Sequence, residues 1–164
     1  MLKKTIIITL LYSLFTINAY SAGSSSSDDE TATKSDYDEA VTHIEAAKNH
    51  EKKGKLEKAN KSYTKAQKLL IKSNDIKPNN PDTLNYLGFT TRKLGDFENG
   101  EKYYLQGLAI NPSHRGINEY LGELYVVTKR HNLAVERLEV LSGCNCEEYE
   151  QLKAVIAGEK APKY

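Results

Sequence analysis

No tryptophan occurs in the 164 residues, and aromatic residues make up only 9% of the chain. Neither sign of charge dominates, with 23 lysines and arginines against 22 aspartates and glutamates. A nucleic-acid binder needs a basic face, and this balance supplies none at the level of the whole chain. The short catalytic signatures are missing as well. There is no glycine-flanked serine nucleophile, no paired-histidine zinc helix, no phosphate-binding loop and no dinucleotide-binding glycine run. His43 and His50 are seven residues apart, but no cysteine or third histidine joins them at metal-ligand spacing. His114 and His131 fall at turns or helix starts, where histidine is ordinary. The composition and motifs therefore point away from an enzyme, a cofactor or a metal.

What is present begins with a basic head, Met1–Lys4, then the apolar run "TIIITLLYSLFTI" over 5–17, then small residues. That order describes a secretory signal peptide at 1–21, cleaved after Ser21 or, less well, after Ala22. An uncleaved anchor is the competing reading, but the apolar run is short of the ~20 residues a span needs. No cysteine lies near the cleavage region, so a lipoprotein anchor is not expected. Cleavage would leave an exported protein, periplasmic or secreted, with no stable membrane insertion and access to an oxidising compartment. Residues 22–36, "AGSSSSDDETATKSD", hold no large apolar side chain and read as a flexible linker.

From Tyr37 the apolar spacing turns helical. Leu84, Leu87, Thr91 and Leu94 share one helix face, Gly95–Asp96 make a turn, and Phe97, Gly100, Tyr104 and Leu108 share the next. Asn111–Pro112 stop that helix. The plan then recurs: Ile117, Tyr120, Leu121, Leu124 and Tyr125, a turn at "KRHN", then Leu133, Ala134, Leu138 and Leu141, with Gly143 placed to end the helix. "NYLG" at 85–88 and "EYLG" at 119–122 lie 34 residues apart. Gly88 and Gly122 are read as the points where the two helices of a hairpin cross. A helix-interior glycine costs about 1 kcal/mol relative to alanine, and close approach offsets it.

A 34-residue period with this content resembles the tetratricopeptide repeat family. The matching positions are Leu84, Leu87, Gly88, Gly100, Tyr104, Gly107 and Pro112 in one unit, and Leu121, Gly122, Tyr125, Ala134 and Leu138 in the next. Thr91 stands where the family has tyrosine, Asn118 where it has a large apolar residue, and Cys146 where it has proline. The departures at Asn118 and Cys146 suggest a last repeat whose outer edge meets something other than another identical repeat. In the first unit two registers fit. The favoured one puts Ala47, Gly54, Ala59, Tyr63 and Ala66 at the repeat positions and lengthens the second helix by about two turns.

The resemblance implies an all-α fold, a right-handed superhelical stack of about three helix hairpins plus a C-terminal capping helix. The expected limits are 37–80, 81–114 and 115–146 for the repeats, 147–157 for the cap and 158–164 for a tail. The cap would bury Tyr149, Leu152, Val155 and Ile156 and leave Glu150, Gln151, Lys153 and Glu159 wet.

The resemblance also implies a non-catalytic scaffold or adaptor that holds a protein or peptide partner on the concave surface of its first helices. The positions on that surface are Asn85, Phe89, Arg92, Lys93, Glu119, Glu123 and Val126, with Phe89 a candidate exposed aromatic anchor. A structural subunit of an envelope assembly is a second reading. A thiol-redox or metal-handling protein is a third, through Cys144 and Cys146, which are otherwise candidates for a local disulfide or for two reduced thiols at the repeat–cap junction. Asn145 or Cys146 would cap the last helix, Asn145 with Glu148 in a capping box.

N-terminal sequencing of the exported protein should return Ala22 or Gly23. Recovery of Met1 would favour an anchor instead.

Overall fold

The computed structural model describes residues 35–163. The signal peptide and nearly all of the linker expected from the sequence lie outside the described residues. Seven helices follow one another: α1 Asp36–Lys52, α2 Leu56–Ile76, α3 Pro81–Lys93, α4 Phe97–Ile110, α5 Arg115–Val127, α6 His131–Leu141 and α7 Glu147–Ile156. There is no strand among the described residues. No described helix is long and apolar enough to cross a membrane.

The helix starts are written locally. Ser35 accepts from the Asp38 N–H at 3.1 Å, Asn80 from Asp82 at 2.9 Å, and Asp96 from Asn99 at 3.1 Å. Each satisfies an amide that the first turn leaves without a partner. Pro81 occupies the first helical position of α3, where its missing N–H does no harm. The hairpins reverse at Gly54 (φ 67°), Gly95 (φ 95°) and Lys129 (φ 60°). Of the two first-unit registers, the structure has the one with a long second helix. α2 has 21 residues against 14 in α4, about two turns more. Ala40, Ile44 and Ala47 of α1 meet Ala59, Tyr63, Ala66 and Leu70 of α2 in a core from which water is excluded.

The three departures from the repeat pattern each have a partner. Thr91 Oγ1 accepts from Gln67 of α2 at 2.8 Å. Asn118, fully buried, donates to the carbonyls of Pro112 and His114 at 3.0 Å each and accepts from Arg137 at 3.4 Å. Cys146 is joined to Cys144 in a disulfide across the α6–α7 loop.

The glycines correct one expectation. A methyl at Gly88 would lie 2.5 Å from the Tyr104 ring of α4, so this is a hairpin crossing. Gly100 faces the Gly88 carbonyl and Arg92, and Gly107 faces Ile117 of α5. At Gly122, however, the neighbour is Leu152 of α7, not α6. The second Tyr-Leu-Gly thus receives the cap helix. Gly143 has open space around it and no positive φ, so it does not end α6 in the way expected. Asn145 takes the left-handed conformation there (φ 46°), and Cys146 is the N-cap of α7 without a side-chain bond. The capping box does not form, because Asn145 is spent on the turn one residue too early. Gln151, expected on the wet side of α7, is buried.

Gly88→Ala should lower the melting temperature despite its helix-propensity gain, because overpacking against an aromatic ring costs about 1–3 kcal/mol. Gly143→Ala, which meets nothing within 4 Å, should not. Equal melting temperatures for the two variants would show that the Gly88 crossing can relax.

Candidate functional site

α1, α3 and α5 turn one face toward a shared groove. Lys48, Glu51 and Lys52 of α1, Phe89 and Lys93 of α3, Tyr120 of α5 and Lys163 line a cavity of about 380 Å³. Its floor is aromatic. Phe89 lies between Tyr63 (5.9 Å, edge-on) and Tyr120 (5.0 Å, tilted). Amines cover these rings: Lys48 Nζ stands 5.4 Å from the Phe89 ring centre and Lys93 Nζ 5.4 Å from that of Tyr63. Cations over ring faces gain from the negative quadrupole, more so when desolvated.

On its α5 side the groove is closed by charge. Arg92 donates to Glu123 at 2.9 Å, and both side chains are 0% exposed. Arg92 also donates to the Tyr120 carbonyl at 3.3 Å and the Lys163 carbonyl at 2.9 Å. Glu123 accepts the Lys163 N–H at 3.0 Å and the Gln151 amide at 3.4 Å. Glu119, one turn earlier, accepts the Lys163 amine at 2.6 Å. The tail reaches this place because Gly158 (φ 75°) ends α7 and reverses the chain, with its N–H on the Val155 carbonyl.

The residues proposed from sequence for the concave face are therefore gathered but not exposed. Asn85, Phe89, Arg92, Glu119 and Glu123 are all buried. Phe89 is 1% exposed and is a core ring, not a free anchor. Lys93 is half-buried and ion-paired with Glu51. Val126 packs against the core away from the cavity lining. Asn85 sits against Gly116 at the α3–α5 contact. The reason is geometric: α2 and α5 cover Phe89 and Asn85 on α3, while α7 and the tail cover Glu123, and the tail reaches Glu119 and Arg92. Sequence reasoning missed Lys163, Tyr120, Lys48, Glu51 and Lys52 as groove residues. The one available signal was Glu119 and Glu123 at i, i+4 on a helix whose other positions are mostly apolar, an arrangement that calls for cations nearby.

Burial shifts the titrating groups. It pushes the Glu119 carboxyl up to about 7, against the downward pull of the Lys163 amine. It lowers Lys93, with Glu51 pulling the other way. The Tyr63 and Tyr104 hydroxyls are raised by burial, so both stay neutral, and Tyr63 donates to Glu51 at 2.9 Å. No group of three or more His, Cys, Asp or Glu side chains suited to a metal exists among the described residues.

Glu119 gives a pH dependence with a definite sign. Its folded form keeps a proton that the unfolded chain releases near its ordinary value of 4.5. The stability it contributes is thus present at low pH and lost as pH rises through about 7. Glu119→Gln removes this loss. Its melting temperature relative to the unaltered chain should climb between pH 4.5 and 7, each tenfold in proton affinity being worth about 1.4 kcal/mol. A difference independent of pH would contradict the burial of this carboxyl.

The sequence model of the tetratricopeptide repeat family matches residues 82–114, which span α3, α4 and the turn after them. No curated protein matches the chain in sequence. Among solved structures the chain is similar to one titled "First TPR of Spaghetti (RPAP3) bound to HSP90 peptide SRMEEVD", with 22% identity, 74% of this chain and 94% of that chain covered, and a TM-score of 0.48. The matched unit is the hairpin that Gly88 and Tyr104 lock together, and a helix hairpin stands on each side of it. Residues 82–114 are a tetratricopeptide repeat, set between further helix hairpins.

Proposed function

We propose that the chain is a non-catalytic interaction module, a scaffold or adaptor exported to the bacterial periplasm or cell envelope, and that it holds a protein or peptide partner along α1, α3 and α5. Export rests on the basic head, short apolar run and small residues of 1–21. The binding reading is carried by one observation. The groove already holds a non-helical piece of chain, with both main-chain groups of Lys163 bonded to side chains of two different helices. A face that pairs main-chain N–H and C=O groups suits an incoming extended segment. The adjacent cavity, with rings below and the Lys48 and Lys52 side chains at its α1 edge, leaves room for more of it.

Phe89 and Arg92 are unsuitable for the test, because truncating a buried aromatic costs about 3–5 kcal/mol and removing one member of a buried ion pair strands the other. Lys48→Glu with Lys52→Glu gives up the exposed Lys48–Glu45 pair and the amine over Phe89 but breaks no buried ion pair. Cross-linked pull-down from the native envelope fraction should lose its captured partner with this double variant while helical circular dichroism is unchanged. Capture that survives, and is lost instead when Glu150 and Lys153 on α7 are reversed in charge, would place the contact on the end cap and support a structural subunit.

A further inference from the structure

The Lys163 contact has more specificity than a tail lying on a surface requires. Its carbonyl accepts from Arg92, its N–H donates to Glu123, and its amine reaches Glu119. The same amine stands 5.8 Å from the centre of the Tyr120 ring. The two main-chain bonds fix the direction of the segment and are blind to its side chains. The third selects a cation, since Glu119 is 3% exposed and a carboxyl so placed must keep its proton or take a positive charge. A single amine on an apolar stem fits a ring wall and one carboxylate oxygen, whereas a guanidinium would seek both oxygens in its plane.

We propose that Glu119, Tyr120, Glu123 and Arg92 form a seat for one lysine of an extended peptide, held in cis by Lys163 and taken over in trans by a lysine-bearing segment of the partner. This inference rests on the reading that the concave groove is the binding face. The cis occupant is poised to leave. The Lys163 side chain is 37% exposed, although the carboxylate it pairs with is not. Between the turn at Gly158 and Lys163, the other described side-chain hydrogen bond of the tail is Lys160 to Gln151 at 3.2 Å. A segment with so few buried contacts opens at little free-energy cost compared with the helices. Tethering still gives it an effective concentration on the order of millimolar, so a weak partner segment is excluded and a well-matched one enters.

The probe is a labelled copy of residues 158–164, Gly-Glu-Lys-Ala-Pro-Lys-Tyr, titrated by fluorescence anisotropy into the full chain and into full-chain Lys163→Glu. The altered tail faces two carboxylates and vacates the seat, so this variant should bind the peptide at least about tenfold tighter than the unaltered chain. Replacing the peptide's second lysine by alanine should abolish the gain, and so should adding Glu119→Gln to the variant. Lys163→Ala provides the same comparison without an added charge should Lys163→Glu lose its helical signal. Equal affinity of the altered and unaltered chains, or equal binding of the alanine peptide, overturns the lysine seat. Neither result bears on the concave-face reading, which stands or falls on partner capture by the Lys48 and Lys52 rim.

Discussion

The buried ion pair between Arg92 and Glu123 is the joint on which the rest of the molecule closes. Two charges with no exposure each carry a desolvation penalty of several kcal/mol. Only a nearly complete set of hydrogen bonds offsets it. Here the set is drawn from separate pieces of chain: the Tyr120 carbonyl and Glu123 on α5, Gln151 on α7, and both main-chain groups of Lys163 on the tail. Arg92 itself sits on α3. Neither α5 nor α7 can leave without stranding part of the pair, so the middle repeat, the last repeat and the cap dock as one cooperative unit, and the place of the tail must be refilled by another main chain when it opens.

That joint also sets the character of the groove. Beside it on α5 the carboxylates of Glu119 and Glu123 are held by Lys163 and Arg92, and toward α1 stand Lys48, over the Phe89 ring, with Glu51 and Lys52. Phe89 divides the two halves and is packed against a tyrosine from the repeat on either side, Tyr63 and Tyr120. A ring used this way transmits the spacing of one hairpin to the next. The spacing of the α1, α3 and α5 hairpins across the groove is therefore set by packed rings.

The helices were legible because their amphipathic stripes, end signals and 34-residue spacing all agree. Gly54, Gly95 and Asn80 do locally what their types predict. Gly88 was legible for the same reason, since its ring partner lies within one hairpin. Gly122 was not, because periodicity reports that a face is close-packed and not which later helix arrives there. The site failed in the same way on a larger scale. Asn85, Phe89, Arg92, Glu119 and Glu123 were placed on the right helices, but Asn85 and Phe89 are covered by neighbouring hairpins, and Arg92, Glu119 and Glu123 by a tail 71 residues beyond Arg92. A six-residue segment with one proline has no period to read. Its presence could be inferred only from the unmet charge of Glu119, and one carboxylate pair on a helix is more often solvated than seated.

Residues 147–163 solve two problems that the hairpin before them poses. An open repeat array leaves an apolar flank in water after its last hairpin. Leu152 fills that flank over Gly122, and α7 stops after ten residues. A helix continued beyond Ile156 would carry the chain straight on past the stack. Gly158 instead turns it back, with the Glu159 and Lys160 amides both bonded to the Ala154 carbonyl. Only after that reversal does Lys163 meet Arg92. The length of α7, the left-handed glycine and the lysine five residues on are thus coupled: shifting any one by a residue would move the amine away from Glu119 and leave the main-chain groups of the tail out of register with the ion pair. Capping of the stack and occupation of its groove are consequences of the same turn.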